Sequence, residues 1–185
     1  VALKRAIQEG IIPGPRLMVA GRAIVSTGSY GPKGYDNDMQ IMLGAEPADG
    51  NDLVRVVRDQ IGKGADFIKV YADYRWGREG EDQPSFTLDE LKLVNEVTRS
   101  SGRVLVCHAK SREAIRRAVL AGAETIEQGD FIDVFFLAHS GRTGSLFDAL
   151  LEFSDQGHSG CFCFQTTFFT TGTCKSILEI NWHMP

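Results

Sequence analysis

Three polar residues stand where the sequence otherwise reads as apolar strand. Lys69 lies inside Phe67-Ile68-Lys69-Val70-Tyr71, His108 follows the run Val104 to Cys107, and Gln128 follows Glu124 to Glu127. A strand of a parallel sheet is covered on both faces, and an unpaired ammonium in such a place is costly, so Lys69 must be neutralised. Carbamylation by carbon dioxide is one chemical solution, because it gives an anion able to bridge two metal ions. A salt bridge to a nearby acid and a side chain that snorkels past the strand end are the others. A lone histidine is more often a satisfied structural residue than a ligand. His108 gains weight from its place at a strand end, one strand–helix unit after Lys69 and one before Gln128. Parallel α/β folds gather their ligands at the carboxyl edge, so the three side chains are expected on one rim. Tyr71, Tyr74 and Arg75 lie just beyond the Lys69 strand, in reach of a substrate. Arg75 suits either a substrate carboxylate or a solvated loop.

The flanking pattern supplies elements that hold such a rim. Leu3 to Ile11 reads as the end of a helix closed by Gly10 and Pro13-Gly14-Pro15, and Arg16 to Ile24 as a buried strand before a glycine-rich loop, Ser26 to Gly34. Asn51 is placed to cap a helix with Leu53, Val54, Val57 and Ile61 on its apolar face. Ala65 to Tyr71 has strand composition. Thr87-Leu88-Asp89-Glu90 is a capping-box pattern opening a helix with Leu91, Val94 and Val97 inward, ended by Gly102. Ser111 is placed to cap the next helix, which carries Ile115, Ala118 and Val119 and stops at Gly122. Strand, helix, strand, helix, strand at this spacing predicts right-handed βαβ units and a parallel sheet, either doubly wound or part of a barrel. Gly28-Ser29-Tyr30-Gly31 does not supply the Gly-x-Gly-x-x-Gly turn that a doubly wound dinucleotide site needs.

Composition is that of a globular chain: 185 residues, 43% hydrophobic and 24% charged. A net charge of −4 argues against a nucleic-acid surface or an anionic-membrane binder. No apolar run reaches the roughly 18 residues of a spanning helix, and the start lacks a signal-peptide pattern. The default expectation is therefore cytoplasmic. Composition breaks near Asp130: residues 131–185 carry 7 of the 44 charged side chains but nine of the 11 phenylalanines. Residues 1–130 and 131–185 are accordingly read as separate units, with the second unassigned. Three of the four cysteines (Cys161, Cys163 and Cys174) fall in that tail, but their spacing is not that of a usual zinc hairpin.

Taken together, Gly14-Pro15-Arg16, Ala20-Gly21-Arg22-Ala23-Ile24, Gly64-Ala65-Asp66-Phe67-Ile68-Lys69-Val70, His108-Ala109 and Ala121-Gly122-Ala123-Glu124-Thr125-Ile126-Glu127 resemble the amidohydrolase superfamily. The nearest group is that of the imidazolonepropionase-like and Xaa-Pro-dipeptidase-like enzymes, and the likeness runs from Val1 to Asp130. The resemblance implies a (β/α)8 barrel with one or two zinc ions that hydrolyses C–N bonds of a small amide or peptide. It implies that Lys69 is the carboxylated, metal-bridging lysine and His108 a ligand. Glu127-Gln128-Gly129 stands where the family has Glu-His-Gly, so Gln128 replaces a histidine ligand, and a carboxamide oxygen is a poor substitute at zinc.

The His-x-His pair of the family's first strand and the aspartate of its eighth have no counterpart in this sequence. The alignment therefore covers about strands three to six, half a barrel. A complete barrel takes roughly 250 residues, and the sequence begins at Val1 rather than Met. The expectation is an internal fragment of a metal-dependent amidohydrolase, inactive alone. The competing reading is a non-catalytic barrel remnant or interaction module.

Overall fold

The computed structural model describes residues 1–30, 44–129 and 146–147. Among these, α1 (Ala2–Gln8) leads to β1 (Ala23–Val25), β2 (Ala45–Pro47), α2 (Asp52–Gly62) and β3 (Ile68–Tyr71). A short antiparallel ribbon follows, β4 (Asp73–Tyr74) against β5 (Gln83–Pro84). Then come α3 (Leu88–Ser100), β6 (Leu105–Ala109), α4 (Arg112–Leu120), β7 (Thr125–Gln128) and β8 (Leu146–Phe147). The main sheet has the order β2-β1-β3-β6-β7-β8, and all its pairings are parallel. Successive strands joined by a helix and lying side by side in parallel are the repeating unit of a (β/α) barrel. The chain forms a partial one.

The strand expected at Arg16 to Ile24 is shorter, because another residue takes its backbone. Asp66 Oδ2 accepts from the Val19 N–H at 2.8 Å, and the Asp66 N–H donates to the Val19 carbonyl at 2.7 Å. Gly21 then turns the chain at φ +75°. A Cβ there would lie 2.5 Å from Gln60 Oε1, the atom that accepts the Arg22 N–H, so β1 starts only after this close approach.

Helices α3 and α4 begin where side chains satisfy free N–H groups. Thr87 Oγ1 accepts from Glu90 N at 3.2 Å and Glu90 Oε2 accepts from Thr87 N at 2.9 Å, the reciprocal capping box. Glu90 Oε1 also accepts from Gly50 N, tying the start of α3 to the turn before α2. Ser111 accepts from Ala114 N at α4. Asn51 does sit at the N-cap of α2, but its side chain makes no capping bond; the Asp49 carbonyl accepts from Asp52 N instead. The inward face of α2 is Leu53, Val56, Val57 and Gln60, with Val54 and Ile61 at its margin.

Ile24, Ile68, Val70, Leu105, Cys107 and Ile126 from the sheet pack against Leu53, Val57, Leu91, Val94, Ile115, Ala118 and Val119 from the helices. Burial of each large aliphatic side chain contributes about 1.5–3 kcal/mol. Because strand side chains alternate, burying Ile68 and Val70 against the helices sends Lys69 and Tyr71 to the opposite face. No described helix is long and apolar enough to cross a membrane. Of the tail, only Leu146–Phe147 is described, paired in parallel with β7. The expectations for the rest of residues 131–185, including Cys161, Cys163 and Cys174, lie outside the described residues.

Candidate active site at three strand ends

The register of the sheet decides which side chains share a row. Tyr71 pairs with His108 and His108 with Glu127, so these three form one row on the face away from the helices. Lys69, in register with Val106, stands on that face two residues nearer the strand start. The Lys69 ammonium pairs with the Glu127 carboxylate; their side chains are 6% and 13% exposed. Of the three ways to neutralise Lys69, this arrangement is the salt bridge. Tyr71 adds its ring face, 5.7 Å from Lys69 Nζ.

Gln128 ends β7 in register with Ala109, at φ +74°. That backbone takes it out of the regular pleat, and its Oε1 is buried with no hydrogen-bond partner among the described residues. Glu127 was not singled out from the sequence. The signal was there: adjacent side chains of a strand point to opposite faces, so a buried Ile126 puts Glu127 on the face away from the helices.

Burial first, then the charges of Lys69 and Lys110, push the His108 imidazole down to about 4, so the ring is neutral near pH 7. Its Nε2 lies 3.6 Å from Asp73 Oδ1, and Tyr71 meets it edge-on with ring centres 5.3 Å apart. Asp73 is 1% exposed. Its Oδ2 accepts the N–H groups of Lys110 and Ser111 at 2.6 and 2.7 Å. Burial raises this carboxyl above the ordinary range, opposed by those two backbone bonds.

Tyr30, a non-glycine residue at φ +54°, donates its hydroxyl to the Asp73 carbonyl and packs against both Tyr71 and Tyr74. Its phenol is pushed upward by burial and then by Asp73. Arg75 is placed differently from these residues: its side chain is 69% exposed and faces Asp82 at 3.8 Å. Cys107, beside His108 in sequence, belongs to the helix-facing core, where burial pushes its thiol up to about 12. Asp73 and Tyr30 also escaped the sequence reading, since nothing local marks an acid in Ala72-Asp73-Tyr74 as the partner of a turn 37 residues away.

Among the described residues no three His, Cys, Asp or Glu side chains come together to hold a metal ion. His108 offers an imidazole, Lys69 is engaged by Glu127, and Gln128 offers only a carboxamide oxygen. This donor set does not by itself fit a zinc centre.

No protein-family profile matches the chain. It is 30% identical over 148 residues to ochratoxinase from Aspergillus niger, an alignment covering 70% of this chain and 31% of that enzyme. The chain thus spans about a third of the length of the curated relatives it matches. The crystal structure of the A. niger ochratoxinase superposes with a TM-score of 0.69 at 26% identity, covering 80% of this chain and 38% of the other. A Xaa-Pro dipeptidase with methionine bound in its active site gives 0.69 and 26%, covering 79% and 38%. A solved amidohydrolase gives 0.65 at 30% identity, covering 81% and 40%.

Proposed function

We propose, from the premise that this chain belongs to the amidohydrolase superfamily, that it forms the middle strands of a barrel built to hydrolyse C–N bonds in a small amide or peptide. The observation that carries this reading is the row Tyr71, His108 and Glu127 above Lys69, at the carboxyl ends of three adjacent parallel strands. That edge is where barrels of this kind perform their chemistry. Lys69, His108 and Gln128 stand at the ligand positions that the resemblance implies. A neutral, partly buried His108 is suited to accept a proton or to bind a cation. The Tyr71 ring against it, with Tyr30 and Tyr74 packed together beside Tyr71, supplies an aromatic wall for a substrate.

Activity requires donors that the described residues do not supply, so the chain alone should neither turn over substrate nor retain stoichiometric zinc. Loss of outer-shell support alone costs metal sites about 10–100-fold in affinity. The test is to express the full chain, supply zinc and bicarbonate, dialyse, measure bound zinc and assay Xaa-Pro dipeptides and N-acyl amino acids. We expect substoichiometric zinc and no turnover. Dipeptide hydrolysis abolished by His108→Ala would show instead that the half-barrel is itself an enzyme. A second reading, a non-catalytic remnant of such a barrel, draws support from the Lys69–Glu127 pair and from glutamine at position 128.

A further inference from the structure

The strand that carries Lys69 runs on into aromatic residues. Tyr71 ends β3, Tyr74 belongs to β4, and Trp76 follows in the loop before β5. With Tyr30, their rings make a run that leads outward from the strand-end row. Tyr71 meets His108 with ring centres 5.3 Å apart, and Tyr30 lies 4.6 Å from Tyr71 and 4.7 Å from Tyr74. Tyr74 in turn meets Trp76 edge-on at 6.3 Å. Each spacing is that of a favourable aromatic pair. Tyr30, Tyr71 and Tyr74 are half-buried, whereas Trp76 is 44% exposed.

The ribbon that carries the outer rings is fixed to β3. The Ser85 N–H donates to the Ala72 carbonyl and its hydroxyl to the Tyr71 carbonyl, both at 2.9 Å. At the tip, the Trp76 N–H donates to the Tyr74 carbonyl at 2.9 Å and the Gly77 N–H to the Glu81 carbonyl at 3.2 Å. The Tyr30 hydroxyl donates to the Asp73 carbonyl at 3.0 Å. A ring held in this way has little freedom left to lose when another ring packs on it. A stable protein partner needs roughly 800 Å² of each surface. Around Trp76 stand Arg75, Arg78, Glu79 and Glu81, all exposed and charged, so the feature suits one small ring instead. We infer that Tyr74 and Trp76 form a specificity subsite beside the strand-end row, which takes a planar aromatic substituent of the substrate. This rests on the hydrolase reading for the bond to be cleaved, but the subsite itself is read by binding alone.

Two uncharged probes test it, N-benzoylglycinamide and N-cyclohexanecarbonylglycinamide. Neither offers a charge to Arg75 or Asp82, and they differ in whether the ring is aromatic. Their affinities for the full chain come from NMR titrations. Aromatic pairing beyond area burial predicts that the benzoyl probe binds about 2–12-fold tighter. It should also shift the indole N–H signal of Trp76, which Trp182→Phe tells apart from that of the other tryptophan. Trp76→Leu keeps an apolar side chain without the ring, and should bring the affinity ratio close to one. Equal affinities in the wild type, or binding of neither probe, would overturn the inference, and both are read without any variant. If Trp76 only braced the ribbon, Trp76→Leu would lower the urea midpoint and leave the ratio unchanged, which would overturn it as well. Zinc content and turnover decide the hydrolase reading separately, and neither enters the affinity ratio.

Discussion

Removing the Glu127 carboxylate should destabilise the protein more than any removal of a surface charge. Glu127→Leu leaves the Lys69 ammonium in a site where its side chain is only 6% exposed. Breaking a buried ion pair from one side typically costs about 3–5 kcal/mol. The Tyr71 ring 5.7 Å away is present before and after the substitution, so it does not offset this cost. The expected loss is therefore about 3–5 kcal/mol, against a total of about 5–15 kcal/mol for a typical domain. Replacing both partners, Lys69→Met with Glu127→Leu, removes the charge and its counter-charge together and should restore most of that loss, because apolar replacement of a buried pair is often neutral or stabilising. Urea titrations of the full chain followed by circular dichroism, at constant pH and ionic strength, give the double-mutant cycle. A Glu127→Leu variant within about 0.5 kcal/mol of wild type would refute the pairing, as would a double variant no more stable than the single.

Gly122 sits at φ +82°, and a Cβ there would lie 2.7 Å from Asn95 Nδ2, which donates to the Ala121 carbonyl at 2.8 Å. Gly122→Ala should cost about 2–3 kcal/mol from backbone strain and the displaced hydrogen bond. In an Asn95→Ala background only the strain should remain, about 1–2 kcal/mol, which the same urea titrations resolve. The lowered His108 pKa sets an acid dependence. A folded value of about 4 against an ordinary 6.5 means that the unfolded chain binds the proton first, so this contribution is complete above 6.5 and is lost as pH falls toward 4. Stability should drop by about 2 kcal/mol between pH 7 and pH 5 on this account. That slope should be absent from His108→Asn; an unchanged slope in the variant would assign it to other groups.

Local features of the sequence determined much of the frame. The capping box at Thr87 and Glu90 and the stop at Gly102 depend on bonds within a few residues, so they are legible without knowing what packs nearby. The alternation of strand and helix, and hence the adjacency of the Lys69, His108 and Gln128 strands, follows from periodicity and the right-handed crossover rule. What the sequence left open was decided between segments distant along the chain. Arg16 to Val19 has strand composition, yet Asp66 takes its hydrogen bonds from 47 residues away. Lys69 needed a counter-charge, and which acid supplies it depends on the registers of β3 on β6 and of β6 on β7, which bring up Glu127 rather than Gln128. The partner of His108 is likewise set by where Asp73 meets the β6–α4 turn. Periodicity fixes the face a residue occupies, but the relative placement of two strands fixes its neighbour. An electrostatic contact falls off with distance between atoms, whatever their separation in sequence.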